Sequence, residues 1–221
     1  MSELPILKAT DIHKSYGDIE VLKGIDIEVS KAEVISVVGA SGAGKSTLLH
    51  ILGSLDKPDR GEIVIGNKKI NRLSRNKLAS FRNNVVGFVF QFHNLLPEFT
   101  ALENVCIPGL IGNRNPSDVE AKAMELMNLL GLSDRINHKP SMMSGGEQQR
   151  AAVARALVNS PDIIFADEPS GNLDSHNAEE LHQLFFNLRE KLETSFVIVT
   201  HNPSLAGMAD RKLTIEDGKI I

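Results

Sequence analysis

Cysteine and aromatic residues are scarce in this chain. Its 221 residues include one cysteine, one tyrosine and no tryptophan. Because Cys106 is alone, it forms neither a disulfide framework nor a cysteine metal site, and a reducing compartment is favoured.

Long apolar runs and an excess of positive charge are also missing. No apolar run reaches the ~20 residues that a membrane-spanning helix needs, and no signal-peptide pattern opens the chain. The net charge of −4 argues against a nucleic-acid-binding protein, which would carry a cluster of basic residues on its surface. The basic residues between 68 and 77 are interpreted as a solvated surface. We expect no nucleic-acid partner, and other polypeptides must supply any membrane part.

A glycine-rich segment occupies residues 39–47, between an apolar run at 34–38 and an apolar helical pattern at 48–52. This strand–loop–helix context is typical of a phosphate-binding loop, in which backbone N–H groups and a helix N-terminus surround an anion. Lys45 then reaches the β- and γ-phosphates, and the Ser46 hydroxyl holds Mg²⁺. The alternative is a glycine-rich turn without a ligand. The predicted nucleotide-binding residues are Gly39, Ser41, Gly42, Gly44, Lys45, Ser46 and Thr47.

Two adjacent carboxylates, Asp167 and Glu168, end a second apolar run. Like charges at the end of a buried strand repel each other and are costly to desolvate, so stability does not explain them. Beside a phosphate loop they suit a Mg²⁺ site and a base. We predict that Asp167 holds the metal and that Glu168 polarises the attacking water. The alternative is a solvated turn before Pro169.

A third segment begins at Ser144, which with Glu147 has the spacing of a capping box. The two glycines between them are poor helix formers, which makes sense if a phosphate approaches the bare backbone. The chain thus has two anion-binding helix starts, although each nucleotide needs only one. A head-to-tail pair of chains, each lending Ser144 and Gly146 to the nucleotide of the other, uses both.

In their order, these segments resemble the motifs of the ATP-binding subunits of ATP-binding cassette (ABC) transporters over the whole chain. The matches are residues 39–47 to Walker A, 143–147 to the signature, 163–168 to Walker B and 170–174 to the D-loop. The departures are Met143 for leucine, Glu147 for glutamine, and Ala32 for the glycine that usually precedes the Walker A strand.

The resemblance implies roles for three further residues. Gln91 stands at the position of the Q-loop glutamine, which joins Ser46 and Asp167 at Mg²⁺ and acts in catalysis. His201 matches the switch histidine, which braces the water and the γ-phosphate. Tyr16 stands where the family stacks an aromatic ring on adenine.

The implied fold is an α/β P-loop NTPase (RecA-like) core with an N-terminal antiparallel β subdomain and an inserted α-helical subdomain. We expect a single ABC ATP-binding domain over 1–221, with its core in 1–91 and 161–221 and its helical lobe in 92–160. Within the lobe, the sequence predicts an irregular loop over 92–108 and a helix that starts with a capping box at Ser117.

The implied activity is hydrolysis of ATP with Mg²⁺ by a homodimer that binds two integral membrane subunits. Such a chain is peripheral, at the cytoplasmic face of the inner membrane. Residues 91–105 and 167–174 resemble the branch that powers release of outer-membrane lipoproteins, a cargo the chain itself does not touch. ATPases of macrolide efflux and of the cell-division complex share this branch and remain alternatives. Chromosome-acting relatives carry long coiled coils, for which the segment between Gln91 and Ser144 has no room.

Apolar side chains are unusually dense in the segment after Gln91, at Phe92, Leu95, Leu96 and Phe99. Two interpretations stay open. These residues either plug the lobe against the core, or line a groove that receives a helix of the membrane subunit.

Overall fold

The computed structural model describes residues 4–221, which form two β-sheets and several helices. The strands are β1 (Leu7–Tyr16), β2 (Ile19–Val29), β3 (Val34–Val38), β4 (Arg60–Ile65), β5 (Lys68–Lys69), β6 (Val86–Phe90), β7 (Ile163–Asp167), β8 (Ser195–Val199), β9 (Arg211–Glu216) and β10 (Lys219–Ile220). The α-helices are α1 (Lys45–Leu52), α2 (Arg75–Val85), α3 (Ala101–Ile111), α4 (Pro116–Leu129), α5 (Gly145–Leu157), α6 (Ser175–Leu192) and α7 (Pro203–Met208).

The smaller sheet is antiparallel, with strand order β2-β1-β4-β5. Its long strands carry β-branched and leucine side chains on the face that packs on α1. The tight turn after Tyr16 reverses the chain between β1 and β2 and leaves that tyrosine at the end of the sheet. This sheet is the predicted N-terminal antiparallel part of the fold.

The larger sheet has the order β10-β9-β3-β8-β7-β6, and all its strands except β10 run parallel. Its central strands are continuous apolar runs because both faces are covered. One face packs on α1 and the smaller sheet, the other on α5 and α6. The carboxyl ends of β3, β6, β7 and β8 meet at one edge, where ligands of such sheets bind.

The segment 92–108 is not the irregular loop that we predicted, because α3 begins at Ala101. Thr100 caps this helix: its hydroxyl accepts from the Glu103 amide at 3.2 Å, and the Glu103 carboxylate accepts from the Thr100 amide at 2.7 Å. Pro108, the last residue of the predicted loop, lies inside the helix. A proline is disfavoured there, and the packing of α3 on α4 and α5 outweighs that preference.

The start of α4 also differs from the prediction. Its N-cap is Asn115, whose side-chain oxygen accepts from the Ser117 amide at 3.1 Å, and Pro116 occupies the first helical position. The capping box predicted at Ser117 is therefore wrong, because the proline allows the helix to begin earlier. The box at Ser144 and Glu147 is confirmed, with both reciprocal hydrogen bonds present.

Candidate functional site

A pocket of about 560 Å³ opens at the carboxyl edge of the larger sheet, a size typical of small-molecule sites. It lies beside the loop after β3 and reaches the ends of β7 and β8. The structure thus brings most of the predicted site residues together. The lining residues are Tyr16, Val21, Gly39, Ser41, Gly42, Gly44, Lys45, Ser46, Thr47, Glu168, Val199 and His201.

The loop after β3 is shaped to present backbone N–H groups to this pocket. Gly44, which directly precedes α1, has φ 99°, and a Cβ there would lie 2.8 Å from Leu22 Cδ2 and 3.0 Å from Val21 O. Only glycine fits such a position. No side chain caps α1, so the N–H groups of its first turn are available to an anion. Lys45 Nζ crosses the loop and donates to Gly39 O at 2.9 Å and to Ala40 O at 2.8 Å.

Oxygen ligands suited to a hard cation meet at one side of the loop. Ser46 Oγ donates to Asp167 Oδ1 at 3.1 Å, across 121 positions of sequence. Burial raises the pKa of Asp167, so a cation beside it would offset a desolvation cost that the fold already bears. A hydroxyl and a carboxylate fit Mg²⁺, which takes such ligands together with water and phosphate oxygens.

Gln91 is not among the residues that line this pocket. Its side-chain amide donates to Asn172 Oδ1 at 3.1 Å, and Asn172 returns a bond to Gln91 O at 3.1 Å. The glutamine is therefore tied to the loop after β7. Its predicted roles at Mg²⁺ and in catalysis remain predictions.

Glu168 combines a strained backbone with a well-held carboxylate. Its φ is 47°, a left-handed conformation that is costly for any residue with a side chain and is found at functional sites. The carboxylate oxygen Oε2 accepts from the His201 amide at 3.2 Å and lies 2.9 Å from His201 Nδ1. His201 itself is largely exposed. The arrangement orients one carboxylate at the pocket, as a general base requires.

Tyr16 is half exposed and lines the same pocket. Its hydroxyl donates to Asp56 Oδ2 at 2.8 Å, and this hydrogen bond is the main cause of the raised pKa of Tyr16. Lys14 Nζ lies 2.9 Å from the same oxygen and 5.1 Å from the ring centre. Lys14 and Asp56 were missed by sequence analysis, since no motif links positions so far apart.

Ser144 and Gly146 lie at the start of α5 and do not line the pocket of their own chain. Ser144 is exposed, whereas Gly146 is buried against α6. A Cβ on Gly146 would lie 2.3 Å from Asn177 Oδ1. This glycine therefore has a packing role that its sequence position did not reveal, and contact of both residues with a partner's nucleotide stays a prediction.

The apolar side chains after Gln91 fall into two groups, one that fits the plug against the core and one that fits the groove. Leu95 packs against the core, whereas Phe92, Leu96 and Phe99 are exposed. Arg155 of α5 holds the segment from below by donating to His93 O at 2.7 Å and to Asn94 O at 2.6 Å. Arg155 was also missed, because only the packing of α5 brings it here.

The described residues, 4–221, contain no helix that is both long and apolar enough to span a membrane.

Comparison with known proteins identifies relatives that match nearly the whole chain. The model of the family described as "ABC transporter" matches residues 22–171. A "Lipoprotein-releasing system ATP-binding protein LolD" of Cytophaga hutchinsonii is 61% identical over 216 residues, which cover 98% of this chain and 99% of the relative. A protein of the same name from Bacteroides thetaiotaomicron is 54% identical and covers 97% and 99%.

Solved structures also match nearly the whole chain. The dimeric ATP-binding cassette MJ0796 bound to ADP and Pi in a post-hydrolysis state has a TM-score of 0.88 and 40% identity, covering 97% of this chain and 96% of that one. CbiO1 of Clostridium perfringens, part of the ABC transporter complex cbiONQ, has a TM-score of 0.90 and 27% identity, covering 99% and 88%. The predicted fold class is confirmed by these neighbours. The exact division at 91/92 and 160/161 stays a prediction. The family match, the near full-length identity and the pocket lead to one conclusion: the chain belongs to the ABC transporter family, as an ATP-binding subunit that hydrolyses ATP.

Proposed function

We propose that this chain powers the release of outer-membrane lipoproteins from the inner membrane. The observation that carries the proposal is the 61% identity, over nearly all of both chains, to a relative named for the lipoprotein-releasing system. The chain acts as a homodimer at the cytoplasmic face, bound to two integral membrane subunits that make all contact with the lipoprotein. The dimeric form of a structural neighbour supports the pairing.

Hydrolysis in this proposal follows from the site geometry. The N–H groups of residues 39–47 and Lys45 bind the phosphates, and Tyr16 stacks on adenine. Ser46 and Asp167, joined by Gln91 on closure, would hold Mg²⁺, which would supply positive charge to the phosphoryl oxygens. Glu168 polarises the water and accepts its proton, while the water oxygen bonds to the γ-phosphorus and the bond between that phosphorus and ADP breaks.

His201 braces the water and the γ-phosphate during this step, and its contacts described above also keep the Glu168 carboxylate in place. Ser144 and Gly146 of the partner subunit complete the far side of the nucleotide. This closure excludes water other than the nucleophile, which strengthens the electrostatic interactions inside the site.

Coupling to the membrane subunits uses the exposed apolar side chains after Gln91. Phe92, Leu96 and Phe99 are respectively 69%, 44% and 41% exposed, which is unusual for large apolar residues so close together. We propose that they receive a short helix of the membrane subunit. Gln91 links this surface to the loop at Asn172, so a change at the nucleotide reaches the partner.

The test is reconstitution of the chain with the membrane proteins encoded beside it, in liposomes that contain a lipidated lipoprotein. We expect ATP-dependent transfer of the lipoprotein to a soluble acceptor. Glu168→Gln should keep ATP binding but lower hydrolysis by about 10²–10⁴-fold and abolish transfer. Glu190→Gln, which changes an exposed carboxylate of α6, is the matched control.

Two results would redirect the proposal. Hydrolysis that a macrolide stimulates, without lipoprotein transfer, would favour the efflux alternative. Hydrolysis that activates only a cell-wall hydrolase would favour the division alternative. Near-normal turnover of Glu168→Gln would remove that residue from the role of base.

A further inference from the structure

Gln149 is a fully buried glutamine in α5, with 0% exposure. Its Nε2 donates to two backbone carbonyls, Phe90 O at 3.2 Å and Pro169 O at 2.7 Å. Its Oε1 is also buried and has no hydrogen-bond partner. Both donors of the amide group are thus used, and its acceptor is not.

The two carbonyls belong to the ends of neighbouring strands. Phe90 is the last residue of β6 and directly precedes Gln91, whereas Pro169 directly follows Glu168. In the β6–β7 ladder, Phe90 is aligned with Asp167. One side chain therefore joins the backbone beside Gln91 to the backbone beside Glu168.

We propose that Gln149 is a positioning residue of the ATPase site, which sets the placement of Glu168 and Gln91 and ties both to the helix that begins at Ser144. The proposal rests on the roles proposed above for Glu168 and Gln91. Gln149 is fully buried and does not line the pocket, and it acts only through the two carbonyls.

Packing alone does not account for a glutamine at this position. A buried amide oxygen without a partner destabilises a fold, and an apolar side chain of similar length would avoid that cost. What glutamine adds over such a side chain is its pair of donors. Both donors are directed at the segments that carry candidate catalytic residues.

The donors of Gln149 help to hold the strained backbone at Glu168. Its left-handed conformation persists only if surrounding contacts hold it. Those contacts include the bond from the Glu168 amide to Val199 O at 2.9 Å and the bond from the Gly171 amide to Glu168 O at 3.0 Å. The bond from Gln149 of α5 to Pro169 O holds the residue that directly follows Glu168, and it is the one of the three that a side chain makes.

The experiment compares Gln149→Met with a matched control in the full-length chain. Methionine keeps the length of the side chain and removes both donors. The control is Asn159→Leu. Asn159 is 6% exposed, donates to Asn83 O at 2.8 Å and to Asn83 Oδ1 at 3.2 Å, and also leaves its buried oxygen without a partner. Asn159 follows the C-terminal end of α5, away from the pocket. Its buried amide group makes the same kind of hydrogen bonds as that of Gln149, so it is a matched control.

We expect Gln149→Met to lower kcat about tenfold or more while KM for ATP stays within about twofold, since small misplacements of reacting groups cost up to about 10²-fold. Asn159→Leu should keep the kcat of the unmodified chain. The double variant Gln149→Met/Glu168→Gln should lose less than the product of the two single losses, because Gln149 acts partly through Glu168. Gln149→Asn, which keeps the donors but withdraws them by one methylene, should repeat the loss of kcat and serves if the methionine variant does not fold.

An unchanged kcat in the folded Gln149 variants would overturn the proposal, as would an equal loss in Asn159→Leu or a purely KM effect. Additive losses in the double variant would also overturn it. These outcomes are distinct from failure of the proposed chemistry, in which Glu168→Gln itself would keep near-normal turnover.

Discussion

Two residues with side chains, Glu168 and Ala32, share a left-handed backbone conformation with different consequences. Their φ angles are 47° and 54°. For L-residues this conformation costs roughly 1–2 kcal/mol. At Glu168 the strain accompanies a carboxylate aimed at the pocket. Ala32 lies in the turn before β3, where its amide donates to Ser195 Oγ at 3.0 Å, and it does not line the pocket.

The strain at Ala32 predicts a stabilising substitution. Ala32→Gly should raise the free energy of unfolding by about 0.5–1 kcal/mol, because removal of Cβ relieves more strain than glycine adds in chain entropy. Ala79→Gly, in the exposed part of α2, is the control and should lose about 1 kcal/mol. Urea denaturation measures both, and ATPase activity should not change. A loss of stability in Ala32→Gly would show that the turn does not strain this residue.

Tyr16 allows its ring and its hydroxyl to be tested separately. Tyr16→Ala should weaken ATP binding roughly tenfold, since an aromatic contact contributes about 0.5–1.5 kcal/mol beyond the area it buries. Tyr16→Phe keeps the ring and loses only the bond to Asp56, so its affinity should stay close to that of the unmodified chain. Calorimetry with ATP measures both. Equal affinities of all three proteins would assign Tyr16 to packing.

At the scale of elements, the segment from Gln91 to α3 is the part that most depends on tertiary contacts. Asn104 of α3 is fully buried and reaches back to the segment: its Nδ2 donates to Leu96 O at 3.1 Å, and its Oδ1 accepts from the Leu96 amide at 2.7 Å. From the other side, Arg155 holds His93 and Asn94. The backbone is thus fixed by two helices while three of its apolar side chains stay exposed.

This division predicts opposite effects of serine within one segment. Leu96→Ser and Phe99→Ser should leave the melting temperature unchanged and reduce co-purification with the membrane subunits, because their side chains are exposed. Leu95→Ser should lower stability by about 2–5 kcal/mol, as large-to-small changes in a core do. Thermal melting beside a pull-down separates the effects. A collapsed melting temperature in Leu96→Ser and Phe99→Ser would mean that both are core residues.

At the scale of the molecule, the pocket of one chain is lined by the residues predicted for the nucleotide and its Mg²⁺, except Gln91, the residues at the start of α5, and Asp167, which contacts the lining residue Ser46. Ser144 is exposed there, so a second chain can reach it. The structural neighbour bound to ADP and Pi is itself dimeric. These observations support a site completed by the partner subunit.

Mixing two inactive chains tests the shared site. Lys45→Ala removes a phosphate ligand, and Ser144→Arg blocks the start of α5. Neither variant should form a dimer with ATP by itself. Their mixture should, because each heterodimer retains one intact composite site. Size-exclusion chromatography with ATP measures this pairing. If both variants dimerise alone, Ser144 and Lys45 do not act across an interface.

Sequence alone determined the order of the motifs, the α/β class and most of the pocket. These features are local: the loop at 39–47 and the carboxylates at 167–168 carry their chemistry within a few adjacent positions, and parallel strands bring their ends to one edge. The capping box at Ser144 could likewise be predicted, since both of its partners lie within one turn.

Only the tertiary structure decided the remainder. It placed Gln149 between two strand ends, Asp56 on the hydroxyl of Tyr16 and Arg155 beneath the segment after Gln91. Tertiary packing also allows α3 to continue through Pro108, which helix propensity alone would exclude. The physical reason is common to all four. Hydrogen bonds between distant positions, and burial that outweighs local propensity, depend on which elements pack together, and no spacing along the chain records that.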